Sequence, residues 1–386
     1  MLGLMSHAEK IAELVDWLID GAPGAVGAPD VVARCGADLC AAGVPVDRMA
    51  AFVTTLHPTV AGRSFRWSPE KGIVFGEISY AIVRSQGFTN SPMSAVIATG
   101  AEVRARLDGP DRVHNYPVYE ELAAAGFVDH ISLPMRFTNG ETHVVTFATK
   151  NAGGFSETDI EDLRRVLRPL ARLGEILALR RTASTLLSTY VGRNSGDKIL
   201  AGRIHKGDFE TVRAVIWFSD LRGFTEMSSR LSTREVIDNL NRVFECQVPP
   251  IEKGGGEVLK FMGDGLLAIF PLADGGDDSK VADHAVAAAE EAIAAVAAMP
   301  PLRIGLALHV GEVAYGNIGG SSRLDFTAIG PAVNIASRLE SLTSKLGRSL
   351  VVSAEVAALT SRTTESLGSF ELKGVPAPVT VHAPVA

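Results

Sequence analysis

Apolar residues along the chain recur every three or four positions in some stretches, and run together or alternate in shorter ones. In the first 180 residues the helical period predicts helices over 7–19 and 29–42. Strand-like runs follow at 50–58, 72–80, 128–137 and 142–149. Two short helices lie among them, one ending near Thr99 and one over 116–125. Asn139-Gly140 joins the last two strands as a hairpin, because both residues tolerate positive φ. Helices flanking an antiparallel sheet make this an α+β domain.

From Ser156 one long helix is predicted, with Ser156 and Asp159 in capping-box positions. Ile160, Leu163, Leu167, Leu170 and Leu177 keep a heptad spacing, and Gly174 fills one seam position. Pro169 predicts a bend or a junction between two helices. The stripe reads equally as a face packed on its own domain or as a seam against a second copy. Residues 181–207 read as a helical connector with turns at Gly192 and Gly196.

The order of elements then sharpens. A buried strand over 213–220 ends at Asp220, and a glycine turn leads into helical segments closed by Pro249-Pro250. Ser232 and Glu235 form a capping box on the second of these. Strands 257–261 and 266–270 flank Met262-Gly263-Asp264-Gly265 as a hairpin. An alanine-rich helix (281–298), a strand (302–310) and a further hairpin toward Ile318 follow. A helix over 332–346 stops at Gly347, before a strand (349–353) and a helix (354–361). The predicted organisation is a domain over 1–180, the connector over 181–207 and a second α+β domain over 208–386.

Composition narrows the class. The 386 residues are 46% hydrophobic and 21% charged, as in ordinary globular protein. A net charge of −7 gives no general attraction for nucleic acid or anionic lipid, so neither is an expected partner. Cys35, Cys40 and Cys246 make no disulfide framework. Asp283, His284, Glu290 and Glu291 interrupt the alanine-rich run, so no membrane span is expected. The N-terminus lacks a basic segment followed by an apolar core, and a cytoplasmic location is expected.

Asp220 ends an apolar strand beside the turn Leu221-Arg222-Gly223-Phe224-Thr225, where backbone amides and a helix start favour phosphate oxygens. Alone, it reads equally as a ligand-facing carboxylate or as a mere strand end or helix cap. Asp264 sits at a hairpin tip between Gly263 and Gly265, which leave room for a ligand. Two carboxylates on rigid strand ends suit a hard divalent cation completed by phosphate and water.

The motifs FSDLRGFT (218–225), KFMGDG (260–265) and FTAIGPAVNIASRLE (326–340) resemble the catalytic domain of class III nucleotidyl cyclases, over about residues 208–383. The resemblance implies an α/β sandwich with a ferredoxin-like core and conversion of a nucleoside triphosphate to a 3′,5′-cyclic monophosphate and pyrophosphate. It implies two Mg²⁺ or Mn²⁺ ions per site on Asp220, Asp264 and the carbonyl of Leu221. Gly223, Phe224 and Thr225 lie in the matching phosphate-side turn. Lys260 and Thr327 match the purine-reading pair, in a combination that resembles bacterial adenylate cyclases. Asn334 and Arg338 match the ribose-orienting and transition-state residues, and Lys373 the lysine that contacts the triphosphate. Glu312 departs from the pattern, standing where some relatives carry a phosphate-contacting arginine.

At i and i+4, Asn334 and Arg338 share one helix face. Lys260 and Asp264 lie on one short hairpin yet address opposite ends of an extended nucleotide, which implies a homodimer with shared sites. The expected substrate is ATP. Guanylate cyclase remains open, as does an inactive domain kept for nucleotide binding or dimerisation. Residues 1–180 resemble a GAF-type sensor that holds a small-molecule ligand. Trp67, Tyr80, Tyr116 and Tyr119 are pocket candidates, and His57, His114, His130 and His143 are scattered without metal spacing.

Overall fold

The computed structural model describes residues 5–110, 112, 113 and 115–385, so His114 lies outside the described residues. The chain divides into two compact units, one up to Leu186 and one from Leu187 onward.

The first unit opens with α1 (His7–Ile19), capped by Ser6 and Glu9, and α2 (Ala28–Ala42). Its strands are β1 (Arg48–Thr54), β2 (Val60–Ser68), β3 (Gly72–Ser79), β4 (Val103–Arg106), β5 (Asp129–Arg136) and β6 (Thr142–Thr149). Short helices α3 (Tyr80–Val83), α4 (Gln86–Thr89), α5 (Pro92–Thr99) and α6 (Pro117–Ala124) lie between them, and α7 (Glu157–Val191) follows. The sheet order is β3-β2-β1-β6-β5-β4, antiparallel throughout. Gly140 takes φ 88° in the expected hairpin turn.

Strand alternation sends Met49, Ala51, Phe65, Trp67, Leu133 and Phe147 into a core shared with α1, α2 and α7. Trp67 is therefore core: its ring lies so close to Gly36 that a Cβ there would approach within 2.2 Å. Tyr80 is exposed and donates to the carbonyl of His57 at 3.0 Å. Neither fits a pocket role. Tyr119 is fully buried against Tyr116 and His130.

Ser156 and Asp159 cap α7 as expected. The helix continues through Pro169 for 35 residues, so the expected junction is absent. Buried Val166, Leu167, Leu170 and Ala171 hold that turn against the sheet and offset the lost backbone bond. The heptad stripe resolves the same way: Ile160, Leu163, Leu167 and Leu170 belong to the unit's own core, with Leu177 packed against it.

The second unit takes over the last turn of α7. Gly192, at φ 87°, breaks the chain into α8 (Arg193–Leu200). Gly196 is not a turn but lies inside α8, where a Cβ would come within 3.1 Å of Leu187 Cβ. Next come β7 (Phe209–Leu221), α9 (Phe224–Arg230), α10 (Thr233–Lys253), β8 (Glu257–Met262), β9 (Gly265–Pro271) and α11 (Asp278–Ala297). Then follow β10 (Ile304–Gly319), β11 (Leu324–Ile329), α12 (Pro331–Lys345), β12 (Leu350–Ser353), α13 (Ala354–Leu359), β13 (Thr364–Phe370) and β14 (Val379–Pro384). Pro249 and Pro250 sit inside α10 rather than closing it, because Pro250 and Ile251 are buried and carry the helix on to Lys253.

The eight-stranded sheet runs β13-β14-β12-β10-β7-β9-β8, with β11 paired to β10. The segment β7-α10-β8-β9-α11-β10 has its strands in spatial order fourth, first, third, second, which is the ferredoxin-like βαββαβ arrangement. Along β7, Val215, Trp217 and Leu221 face α10 and α11, while Ala214 and Ile216 face α12. Both faces are thus covered.

A buried polar cluster anchors α8 to β8. The Glu257 carboxylate accepts from the Ser195 amide (3.1 Å), Ser195 Oγ (3.0 Å), Asn194 Nδ2 (3.2 Å) and Tyr315 Oη (2.9 Å). Glu257→Ala leaves Ser195 and Tyr315 without this acceptor and lowers stability by about 1–3 kcal/mol. Urea denaturation measures it; an unchanged midpoint refutes the anchor.

Candidate active site

Asp220 is the penultimate residue of β7 and, by alternation, faces α12. Behind it, Trp217 Nε1 donates to Ser219 Oγ (3.2 Å), which donates to Gln247 Oε1 (2.6 Å) on α10. This buried chain fixes the strand end. Asp264 stands in the β8–β9 turn, where Gly263 adopts φ 67°. A Cβ on Gly265 would sit 3.1 Å from the Ser219 carbonyl and 3.4 Å from Asp220 Oδ1. Glycine there lets the hairpin tip close onto the end of β7.

The result places the Asp264 carboxyl close enough to Asp220 to shift its ionisation. Burial, then the Asp264 charge and hydrogen bond, then Glu340 push Asp220 up to about 7, against the Leu221 amide that donates to it. Glu340, on α12, is also raised by burial, with the Arg222 guanidinium opposing. Gly305 makes room for it: a Cβ there would approach Glu340 Oε1 within 2.5 Å. Sequence reasoning did not single out Glu340.

A half-buried carboxylate pair that retains a proton is a donor set short of positive charge. Among the described residues no group of three His, Cys, Asp or Glu side chains forms a metal cluster. Two aspartates and the Leu221 carbonyl nevertheless fit Mg²⁺ or Mn²⁺, which take few protein oxygens and complete the shell with phosphate and water.

The folded, metal-free chain holds a proton on Asp220 that the unfolded chain releases near the ordinary carboxylate value of about 3.9. The stabilisation this proton provides is complete below about pH 3.9 and is lost as pH rises through about 7. Asp220→Asn, neutral throughout, therefore gains stability relative to wild type across that window. Thermal midpoints in EDTA from about pH 4 to about pH 8 read the difference. A constant difference contradicts the assignment.

Lys260, half-buried on β8, forms an ion pair with Asp325 on β11. Thr327 lies two residues along β11, on the same face, and is buried. Asp325 is the second residue that sequence reasoning missed; the signal was its i−2 position to Thr327 on one strand. Asn334 and Arg338 are both exposed on α12, and among the described residues Arg338 has no ion-pair partner. Gly223 takes φ 72° ahead of α9, which starts at Phe224 and leaves Thr225 exposed. Glu312 is exposed on β10, and Lys373 is exposed in the loop between β13 and β14. Within one chain the structure brings Asp220 to Asp264 and Lys260 to Asp325. It records no contact joining those two clusters.

Residues 207–383 match the family described as the adenylate and guanylate cyclase catalytic domain. The adenylate cyclase of Anabaena cylindrica is 33% identical over 163 residues, covering 40% of this chain and 32% of the relative. Adenylate cyclase 1 of Rhizobium meliloti is 32% identical over 152 residues, covering 36% and 22%. The chain thus spans a third or less of these relatives. The crystal structure of the adenylyl cyclase CyaB from P. aeruginosa is 28% identical, with a TM-score of 0.42, covering 46% of this chain and 96% of that one. Among the described residues no helix is long and apolar enough to cross a membrane.

Proposed function

We propose that the second unit converts ATP to 3′,5′-cyclic AMP and pyrophosphate at sites shared by two copies of the chain. The observation that carries this reading is the Asp220–Asp264 pair, pressed together at the end of β7 within a cyclase-family domain. Asp220, Asp264 and the Leu221 carbonyl hold the divalent ions. When bound, Mg²⁺ or Mn²⁺ lowers the pKa of the ribose 3′-hydroxyl and offsets phosphate charge.

On the partner chain, Lys260 donates to adenine N1, while Thr327 and Asp325 accept from the 6-amino group. Guanine offers N1–H and O6 at those edges and meets this pattern poorly. Asn334 orients the ribose. The 3′-hydroxyl gives its proton to solvent water, its oxygen attacks the α-phosphorus in line, the bond to the bridging oxygen breaks, and pyrophosphate leaves with that electron pair. Arg338 neutralises the charge that develops on the phosphoryl oxygens.

Incubating the purified chain with ATP or GTP and Mn²⁺, and reading the product by mass, tests the function. Cyclic AMP in excess is the expected result; cyclic GTP-derived product in excess favours the guanylate reading, and no product favours an inactive module. Asp325→Ala lowers the ATP-to-GTP ratio of kcat/KM by about tenfold or more. An unchanged ratio removes Asp325 from base selection.

The first unit, in this reading, is a GAF-like module that regulates turnover. Its support is the covered antiparallel sheet and three buried polar atoms without a hydrogen-bond partner among the described residues: Tyr119 Oη, His130 Nδ1 and Ser132 Oγ. Burial and the Arg48 charge push His130 down to about 4, so its ring is neutral near pH 7.

A further inference from the structure

The opposite face of the same sheet carries a separate cavity of about 550 Å³, bounded by α2, α7 and the strands β1, β2, β3 and β5. That volume falls in the range of about 300–1,000 Å³ usual for small-molecule sites. From the sheet, Ala51, Val53, Phe65 and Met135 line it, all on the side of the strands away from His130 and Ser132. Helix α7 supplies Leu170, Gly174, Leu177 and Ala178, then Arg180, Arg181 and Ser184.

The α7 wall is therefore graded. Its apolar turns come first and its cationic turn last, about 16 Å apart along the axis between Leu170 and Arg181 at 1.5 Å per residue. Charge completes the picture. Arg63, also in the wall, is paired with Glu77 at 3.3 Å. Arg180 and Arg181 are exposed and have no acidic partner among the described residues. The start of α2 also lines the cavity, but its first turn carries Asp30, which accepts from the Val26 amide at 2.8 Å, so the cationic character rests on the two arginines.

We propose that this cavity binds a lipophilic carboxylate of medium chain length, its hydrocarbon against Val53, Phe65, Leu170 and Leu177 and its headgroup at Arg180 and Arg181. An apolar slot with unneutralised cations at one end matches an amphiphilic anion better than a neutral lipid, which leaves both guanidiniums unused, or a sugar, which finds few polar partners. Because α7 runs on from this wall to Val191, an occupant bears on the helix that leaves the unit. The proposal deepens the regulatory reading of the first unit and rests on it only for an effect on turnover.

Dodecanoate is titrated calorimetrically into the full chain, with dodecan-1-ol as the uncharged counterpart. Saturable binding of one dodecanoate per chain is expected, with affinity about tenfold or more weaker for dodecan-1-ol and for the Arg180→Ala/Arg181→Ala variant. Ala178→Trp fills the slot and abolishes binding. If that variant misfolds, the exposed arginine pair still decides the matter. No saturable binding, or equal affinity for acid and alcohol with the arginine variant undiminished, overturns the proposal. Turnover of ATP is read on the same samples: binding with unchanged turnover contradicts the regulatory reading and leaves the site standing.

Discussion

Chains carrying Asp264→Ala and chains carrying Lys260→Ala are each inactive alone and recover activity when mixed. In a mixed two-fold dimer one site combines an intact Asp264 with an intact Lys260, and the other has lost both. Random pairing puts half the dimers in this state, so recovery reaches about a quarter of wild-type turnover. The expectation follows from the placement of the two residues. Both lie on the β8–β9 hairpin, yet Lys260 reaches toward β11 and Asp325, whereas Asp264 reaches toward β7 and Asp220. A single nucleotide touching both clusters of one chain would have to span the hairpin. Steady-state assays across mixing ratios, with circular dichroism to establish folding of each variant, measure the effect. Failure of folded chains to complement would falsify shared sites.

Arg338→Ala lowers kcat by about 10³-fold or more, with little change in KM, as expected for a cation that acts on charge formed only in the transition state. Arg338 is exposed on α12 and has no ion pair among the described residues, so its removal leaves stability nearly unchanged. That separates it from Glu340, two residues further on and on the other side of α12, whose carboxylate is packed against Gly305. A fall in kcat below about tenfold, or a matching fall in thermal midpoint, would assign Arg338 a structural role.

Much of the second unit was legible in the sequence because its signals are local. The hairpin at Met262–Gly265, the Ser232 cap of α10 and the apolar run of β7 each depend on residues a few positions apart. The prolines misled for the opposite reason. The junction read at Pro169 and the helix end read at Pro249-Pro250 are local breaks overruled by burial of the turns around them. Strand β2 escaped notice because Gly62, Arg63, Ser64 and Arg66 dilute its inward-facing Ala61, Phe65 and Trp67. Four-residue β4 offers too short a pattern to read.

In the site, type and spacing pointed to Asp220 and Asp264, and the family resemblance to Lys260 and Thr327, but neither pointed to what surrounds them. Asp325 meets Lys260 across 65 residues, through the pairing of β10 with β11 and the return of β8 beside them. Glu340 gains its environment from Gly305 and Arg222 on other strands and turns. Such partners are products of topology.

The most direct test is an anomalous difference map from crystals grown with Mn²⁺ and a non-hydrolysable ATP analogue. Manganese peaks bounded by carboxylates 220 and 264 of one subunit, with the adenine ring against lysine 260 of its neighbour, are the predicted result. Metal density elsewhere, or a nucleotide held wholly inside one polypeptide, would contradict it.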